Sequence, residues 1–445
     1  MQNLLRKIPQ IDSLVSHSSF DNLGSKLIRE IAKKHIDLLR KDILNGRVKD
    51  IEQNKLIDGI LQTYHERLKP SLKPLINATG VILHTNMGRS PIDKEILDRA
   101  SNIICNYSNL EYNQDLGKRG DRYNHASKLL SSLFGTDSAL IVNNNASAVF
   151  LILNTFAKNK EVIVSRSELV EIGGNFRIPE VMKSSGAILC EVGTTNKTKI
   201  TDYKDAINNQ TAILMKVHRS NFTIEGFSSE VEYPQIKELA EDNGLIDYYD
   251  LGSGYIPTLP YNLGSKEPPI SKILKSNPDL ISFSGDKLFG SVQAGIIIGK
   301  KELIEKLKQN QLLRMLRVDK VTLSVLEETI RAYLEGRYDL IPALKMLMTD
   351  TKELKVRAQK MHEDIGIDKT EVLQTNTFIG GGTLPNREFP TIALHIKGKA
   401  ADLERRFRQK DIIGRIERDM FLIDLRALEP KYDQLVIDRA LEILP

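Results

Sequence analysis

Cysteine is scarce in this sequence, and no apolar run approaches the length of a membrane span. Cys105 and Cys190 are the only cysteines among 445 residues, which excludes a disulfide framework and favours a reducing compartment. Neither has a metal-ligand spacing, so the sequence predicts no metal site. The N-terminus also lacks the apolar core of a signal peptide. These absences predict a soluble cytoplasmic protein without a membrane partner.

Apolar runs dominate the centre of the chain. Hydrophobic residues make up 41% and charged residues 27%, an ordinary globular composition that supports two or three domains. Continuous rather than alternating apolar character predicts strands buried on both faces, hence an α/β fold with a mostly parallel sheet flanked by helices. The predicted strands are 139–142, 162–164, 188–192, 212–217, 245–250, 280–283 and 294–298.

The same patterns suggest domain boundaries. Two prolines, Pro70 and Pro74, prevent helix continuation and indicate a linker. After a helical stretch at 301–336, apolar runs at 371–373, 391–396 and 420–425 alternate with helices, which indicates a second α/β domain. The predicted parts are an N-terminal helical module (1–68), a linker (69–85), a large catalytic domain (86–320) and a small C-terminal domain (321–445).

One lysine lies in a turn of small residues between two predicted strands, in Ser284-Gly-Asp-Lys287-Leu-Phe-Gly290. Partial desolvation favours the neutral amine of a lysine, so Lys287 is a candidate to form a Schiff base. Asp250 ends the strand at 245–250, where a carboxylate can pair with a protonated pyridine nitrogen. The alternatives are an ordinary loop lysine and a turn-forming aspartate.

A third element precedes both residues. The strand at 139–142 leads into Asn143-Asn-Asn-Ala-Ser147 and an apolar helix, and the start of such a helix attracts anions. Candidate phosphate ligands are therefore Asn144, Asn145, Ala146 and Ser147, although Asn and Ser also simply cap helices. A phosphate loop, Asp250 and Lys287 in this order, each at a strand end, predict a pyridoxal phosphate (PLP) enzyme.

Longer segments resemble bacterial selenocysteine synthases, the L-seryl-tRNA(Sec) selenium transferases. The resemblance covers nearly the whole chain and is most specific at 77–90, 165–179, 192–198, 217–222, 250–254 and 284–295. It implies PLP fold type I and a large homo-oligomer, commonly a decamer built from dimers. It also implies conversion of L-seryl-tRNA(Sec) to L-selenocysteinyl-tRNA(Sec), for selenoprotein synthesis.

The resemblance also implies a β-replacement mechanism. Lys287 holds PLP and then removes the α-proton of the seryl group, while Asp250 keeps the cofactor ring protonated. Loss of the β-hydroxyl leaves a dehydroalanyl-tRNA, to which selenium from selenophosphate adds. Asp286 matches a family residue near the site, where it either orients Lys287 or only caps the turn.

Further site residues follow from the resemblance. Arg89, Arg314 and Arg317 match positions that bind the selenium donor, and guanidinium groups suit such an anion. On spacing alone, a solvated helix face is the favoured interpretation of Arg314 and Arg317, and the resemblance reverses that preference. The remaining candidates are Ser284, His218 and Asn221 for the cofactor, the latter two alternatively being turn residues, and Arg119 and Arg122 for a neighbouring subunit's site.

The N-terminal segment is the basic part of the chain. Residues 1–70 hold 13 Lys and Arg against 9 Asp and Glu, which accounts for +4 of the net +5. Ile28, Ile31, Ala32, Leu38, Leu39 and Ile43 are predicted to share one helical face, and a second helix is predicted at 51–68. Charge alone also fits a solvated extension that serves assembly. The resemblance favours binding of tRNA(Sec) through phosphates and shape.

Two other functions are consistent with parts of the sequence. A PLP lyase or ammonia-lyase acting on a small phosphorylated amino sugar would use the same core, but it has no need of the basic N-terminal module. A catalytically idle RNA-binding protein would not need Lys287, Asp250 and the phosphate loop. The segment 165–170 contains no aromatic residue to stack on a PLP ring, so the sequence does not identify the stacking group.

Overall fold

The computed structural model of this chain describes residues 2–172, 176–219, 222–224, 226–265 and 268–444. The chain folds into two compact units, residues 1–74 and residues 75–445. Within the described ranges, no helix combines the length and the apolar character needed to cross a membrane.

The N-terminal unit is a small helical module. Its helices are α1 (Gln2–Leu5), α2 (Ile11–Val15), α3 (Ser25–Leu44) and α4 (Gln53–Leu68). Ile28, Ile31 and Ile36 recur at helical spacing on α3 and are buried in one core with Ile60 of α4. Leu38 was predicted for this apolar face but is 58% exposed, because its position on the helix turns it away from the buried stripe.

The second unit contains two main sheets with helices around them. Its strands are β1 (Ile76–Asn77), β2 (Tyr112–Asn113), β3 (Lys118–Arg119), β4 (Ser138–Val142), β5 (Glu161–Ser165), β6 (Glu171–Ile172), β7 (Phe176–Arg177), β8 (Ile188–Val192), β9 (Thr211–Val217), β10 (Ile246–Gly252), β11 (Leu280–Ser284), β12 (Gly295–Gly299), β13 (Thr370–Gly380), β14 (Thr383–Ile396), β15 (Ile412–Ile413), β16 (Arg415–Glu417) and β17 (Met420–Asp424). Its helices are α5 (Lys94–Ile104), α6 (Asn124–Phe134), α7 (Asn145–Phe156), α8 (Ile178–Ser185), α9 (Ile200–Ala206), α10 (Tyr233–Asp242), α11 (Ile270–Leu274), α12 (Lys301–Gln309), α13 (Leu313–Leu316), α14 (Lys320–Leu334), α15 (Pro342–Met348), α16 (Thr351–Ile365), α17 (Ala400–Gln409) and α18 (Asp433–Ile443).

The large sheet confirms all seven predicted strands. Its order is β4-β12-β11-β10-β9-β5-β8, and every neighbouring pair is parallel except the two pairs that involve β12. Separate apolar cores form on its two faces, which explains the long apolar runs in its strands. The predicted α/β architecture with a mostly parallel sheet is therefore confirmed.

The smaller sheet is antiparallel, with the order β13-β14-β17-β16. Its core contains Leu354 of α16, Phe407 of α17 and Val436 of α18. β1 joins this part of the molecule by pairing in parallel with β15, and Ile76 belongs to the same core. Leu326 of α14 packs in the same core as Phe283 of β11, so large-sheet packing continues past residue 320. The predicted domain boundaries stay a prediction.

Candidate active site

The predicted catalytic residues lie at one edge of the large sheet. β9, β10 and β11 are parallel, and β4 points the same way because β12 is antiparallel to both β11 and β4. The carboxyl ends of these four strands therefore share an edge, where ligands of parallel sheets bind. His218, Asp250 and Lys287 all lie at or just beyond these ends, and α7 begins there.

A direct contact joins two of the predicted motifs. Nδ2 of Asn145 donates to Oδ1 of Asp250 at 2.8 Å, and the N–H of Gly252 donates to the same oxygen at 3.1 Å. The backbone N–H of His218 donates to the carbonyl oxygen of Asp250 at 2.8 Å, which holds the ends of β9 and β10 together. The structure thus brings the phosphate-loop candidate Asn145, the strand-end residue His218 and the carboxylate into one cluster.

Burial decides the electrostatics of this carboxylate. Asp250 is 6% exposed, and burial raises the pKa of its carboxyl, while Asn145 and the nearby Lys287 act in the opposite direction. A buried carboxylate is stable in its charged form only with a close cation or several donors. A protonated pyridine nitrogen would supply that cation, so Asp250 fits the proposed cofactor.

The start of α7 has the features of an anion site. Asn144 caps the helix, with its Oδ1 accepting from the N–H of Ser147 at 2.8 Å, so the capping alternative holds for this side chain. The first N–H groups of a helix lack intrahelical acceptors and attract anions. Among the described residues, the buried Oδ1 atoms of Asn143 and Asn145 have no hydrogen-bond partner. Unsatisfied buried groups indicate a missing water or ligand. The N–H groups at this helix start fit the phosphate of PLP, whereas the two oxygens are acceptors that would need a hydrogen-bond donor.

The turn that carries Lys287 is buried and tied to a distant segment. Lys287 is 5% exposed and follows Ser284, which ends β11 and is 7% exposed. Its neighbour Asp286 accepts from Nη1 of Arg89 at 2.7 Å, and the N–H of Ser90 donates to the Asp286 carbonyl oxygen at 3.3 Å. Asp286 therefore anchors this turn to the segment around Arg89.

The other two predicted donor-binding arginines lie in a cleft of about 350 Å³. Arg314 is exposed on α13 and forms no ion pair with a described residue. α13 ends before Arg317, which is extended and pairs with Val142, so the two arginines do not share a continuous helix face. The contact with Val142 places Arg317 beside the strand that leads into α7. Arg89 does not line this cleft, and joint binding of one anion by all three stays a prediction.

Sequence reasoning missed the acidic centre of this cleft. Nη2 of Arg122 lies 2.5 Å and Nη1 of Arg317 lies 3.5 Å from Oε1 of Glu111, and Nη2 of Arg119 lies 3.2 Å from Oε2. Hydrogen bonding by Arg122 lowers the pKa of Glu111. A lone glutamate outside any motif carries no signal in the sequence. The prediction that Arg119 and Arg122 reach another subunit stays open.

A second missed pair is buried near the end of β9. Nζ of Lys216 lies 3.0 Å from Oε1 of Glu168, and the N–H of Val217 donates to Oε2 at 2.9 Å. Burial lowers the pKa of Lys216, but the charges of Glu168 and Glu230 together with the hydrogen bond to Glu168 act in the opposite direction, and the net pKa is raised. Glu168 lies in the segment where the sequence lacks a stacking aromatic, and the pair rigidifies the strand end that precedes His218.

Asn221, predicted to touch the cofactor, lies outside the described residues. Within the part of the chain that is described, no group of three or more His, Cys, Asp or Glu side chains is arranged to hold a metal ion.

Comparison with known proteins decides the family. A family model described as L-seryl-tRNA selenium transferase matches residues 75–429, most of the chain. The chain belongs to this family. A relative from Nautilia profundicola, named L-seryl-tRNA(Sec) selenium transferase, is 55% identical over 427 residues, covering 96% of this chain and 95% of that protein. A relative of the same name from Aliarcobacter butzleri is 56% identical over 430 residues, with 96% and 95% covered.

A solved structure confirms the fold of this family member. D-glucosaminate-6-phosphate ammonia-lyase matches with a TM-score of 0.63 and 19% sequence identity, covering 85% of this chain and 97% of that one. At this identity the likeness shows the fold alone. It therefore adds nothing in favour of the lyase alternative, whereas relatives at 54–56% identity are named L-seryl-tRNA(Sec) selenium transferase.

Proposed function

We propose that this enzyme converts L-seryl-tRNA(Sec) to L-selenocysteinyl-tRNA(Sec) with PLP as cofactor and selenophosphate as selenium donor. Membership of the selenium transferase family carries the reaction, and the cofactor site is supported by the 2.8 Å contact between Asn145 and Asp250. This contact joins the anion-binding start of α7 to a buried carboxylate, at the same sheet edge as Lys287. We further propose that the enzyme works in the cytoplasm as a homo-oligomer, a decamer built from dimers, which native mass spectrometry tests directly.

Each of these residues has a distinct part in the proposed reaction. Bound PLP supplies an electron sink that stabilises negative charge at the seryl α-carbon. The start of α7 would bind its phosphate, Asp250 would pair with its ring nitrogen, and Lys287 would hold the cofactor through its amine. Nζ of Lys287, once freed by the incoming seryl amine, would take the α-proton. Ser284 and His218 would also contact the cofactor.

The rest of the reaction exchanges the seryl side-chain group. The β-hydroxyl takes up a proton and leaves as water, which yields dehydroalanyl-tRNA. Selenium then adds to the β-carbon, the α-carbon regains a proton, and water cleaves the Se–P bond of the donor to release phosphate. Arg89, Arg314 and Arg317 bind the donor anion, while Asp286 orients Lys287. The direct test is incubation of the purified protein with seryl-tRNA(Sec), with and without selenophosphate. Selenium-dependent formation of selenocysteinyl-tRNA supports the proposal, and release of ammonia from an amino sugar phosphate instead would favour the lyase.

Arg314 offers the clearest test of donor binding. Because it forms no ion pair with a described residue, Arg314→Ala removes a cation without releasing a carboxylate. We expect a loss of about 2–4 kcal/mol of transition-state stabilisation in selenium addition, with unchanged PLP binding. Kinetics with varied selenophosphate, beside a PLP titration, measure both effects. Lys306→Ala, which removes an exposed cation from α12, is the matched control. Parallel loss of PLP would contradict donor binding.

The N-terminal unit is proposed to bind tRNA. Deletion of residues 1–68 should leave a PLP-loaded enzyme whose tRNA affinity is much reduced, because the second unit has its own cores. The lost affinity should be the salt-sensitive part, since phosphate contacts release counterions. Titration of full-length and truncated protein with tRNA at two salt concentrations measures this. Equal affinities and salt slopes would leave the unit with a role in assembly only.

A pair of lysines provides a sharper variant of this experiment. Arg29 and Arg40 pair with Asp12 and Asp37 on the surface, whereas Lys33 and Lys41 are exposed and form no ion pair with a described residue. Lys33→Glu together with Lys41→Glu should reduce the slope of log affinity against log salt by about 1–2. The fold should be unaffected, because both side chains lie outside the buried stripe of α3.

A further inference from the structure

The hairpin formed by β13 and β14 ends beside the turn that carries Lys287. Its tip is Gly380-Gly381-Gly382, and the three glycines have φ values of +84°, +63° and +68°. Three consecutive residues in the left-handed region are accessible to glycine and strained for other residues. Thr383 follows the tip directly and is 3% exposed, so its side-chain hydroxyl is buried.

One set of contacts runs from this hydroxyl to the residue after Lys287. Oγ1 of Thr383 donates to Oγ of Ser253 at 2.9 Å. Ser253 is fully buried in the turn that follows Asp250, and its Oγ also accepts from the N–H of Leu288 at 3.4 Å. Thr383 is thus one side chain away from the backbone of the lysine turn, although 96 residues separate it from Lys287 in sequence.

A second set of contacts runs from the same tip to the residue before Lys287. The N–H of Leu83 donates to the carbonyl oxygen of Ile379 at 2.7 Å, and Leu83 pairs with Gly380. The approach is close, because a Cβ added at Gly381 would lie 2.9 Å from Cβ of Leu83. The chain from Leu83 continues to Arg89, whose side chain holds the carboxylate of Asp286. Both sequence neighbours of Lys287 are therefore supported from one hairpin tip.

We propose that the β13–β14 hairpin tip positions Lys287, with Thr383 acting as a positioning residue through Ser253 and Leu288. The inference rests on the proposed function of Lys287 as the PLP-binding residue. An amine that must first bond the cofactor and then reach the substrate α-proton needs a fixed backbone, since small misplacements cost large factors in rate. Thr383 and the glycine tip lie in the small-sheet part of the chain, outside every motif recognised in the sequence, whereas Ser253 and Arg89 lie inside two of these motifs.

The test compares two substitutions at one position in the full-length protein. Thr383→Val keeps the size and branching of the side chain but removes the donor to Ser253, whereas Thr383→Ser keeps the donor. Apo-protein is labelled by reductive methylation with formaldehyde and a hydride donor, and each lysine peptide is quantified by mass spectrometry. Lys216 is 6% exposed and is an internal control for global unfolding. PLP affinity is measured separately by absorbance titration.

We expect different results for Thr383→Val and Thr383→Ser. Thr383→Val should raise the labelling rate of Lys287 about tenfold while Lys216 stays at the wild-type rate, because a lost hydrogen bond loosens the turn locally. PLP affinity should fall by about tenfold, and Thr383→Ser should restore both values. Unchanged Lys287 labelling, or an equal increase at Lys216, would overturn the proposal. If wild-type protein fails to bind PLP while Lys287 labelling still responds to Thr383→Val, the positioning stands and the proposed function fails.

Discussion

Lys287→Ala should remove both the cofactor band and the activity of this enzyme. A PLP-bound wild-type enzyme should be yellow, absorbing at about 410–430 nm, and borohydride should fix the cofactor on the peptide that contains Lys287. Alanine has no amine to bond the cofactor or to take the α-proton, so turnover should fall below detection. Absorbance spectra, peptide mapping after reduction and single-turnover assays with seryl-tRNA measure these effects.

The controls for this variant separate chemistry from folding. Lys306→Ala removes an exposed lysine in the same unit and should keep the band and the activity. The affinity of Lys287→Ala for tRNA should remain close to wild type, because tRNA binding is proposed for the N-terminal unit. Cofactor fixed by borohydride on any lysine other than Lys287 would falsify the assignment, even if the alanine variant were inactive.

Local sequence patterns predicted the large sheet because its strands are buried on both faces. The run 294–298 is apolar throughout, and 280–283 is apolar except for Ser282; the structure buries both runs as β12 and β11 inside the large sheet. The hairpin of β13 and β14 was predicted only in part. Its strands span Thr370–Gly380 and Thr383–Ile396, but only 371–373 and 391–396 were predicted. Three glycines and Pro385 and Pro390 interrupt the apolar pattern there, and long antiparallel pairing overrides these local preferences.

The sequence predicted that the candidate site residues lie at strand ends, but it did not predict which of them contact each other. Asp250 lies near the end of β10, and Asn145 and Lys287 follow β4 and β11, so the rule that ligands bind at carboxyl ends places all three at one edge. The bond between Asn145 and Asp250 spans 105 residues, and no local periodicity encodes such a pairing. Glu111 and Glu168 are single acidic residues whose partners are far away in sequence, so only the fold identifies them.

Asp250→Asn should separate cofactor electronics from cofactor binding. Asparagine keeps an Oδ1 acceptor for Asn145 and for the N–H of Gly252, so the site should retain its shape and bind PLP. It cannot carry the negative charge that holds the ring nitrogen protonated, and we expect kcat to fall by about 10²–10³. Spectral titration with PLP and single-turnover kinetics test the two halves of this expectation. Equal losses in PLP binding and in kcat would instead assign Asp250 a structural role.

The same substitution should have the opposite effect on the stability of the cofactor-free protein. Because burial raises the pKa of Asp250, the protonated carboxyl favours the folded state. This contribution is fully present below the ordinary carboxyl pKa and is lost as pH rises through the raised folded value. Asp250→Asn removes the buried charge, so its melting temperature relative to wild type should rise from acidic to neutral pH. Asp115→Asn, at an exposed site, should show no such pH trend. A trend of the reverse sign would mean that the charged carboxylate is already neutralised in the apo-protein, and the ring nitrogen would then not be the cation that the site lacks.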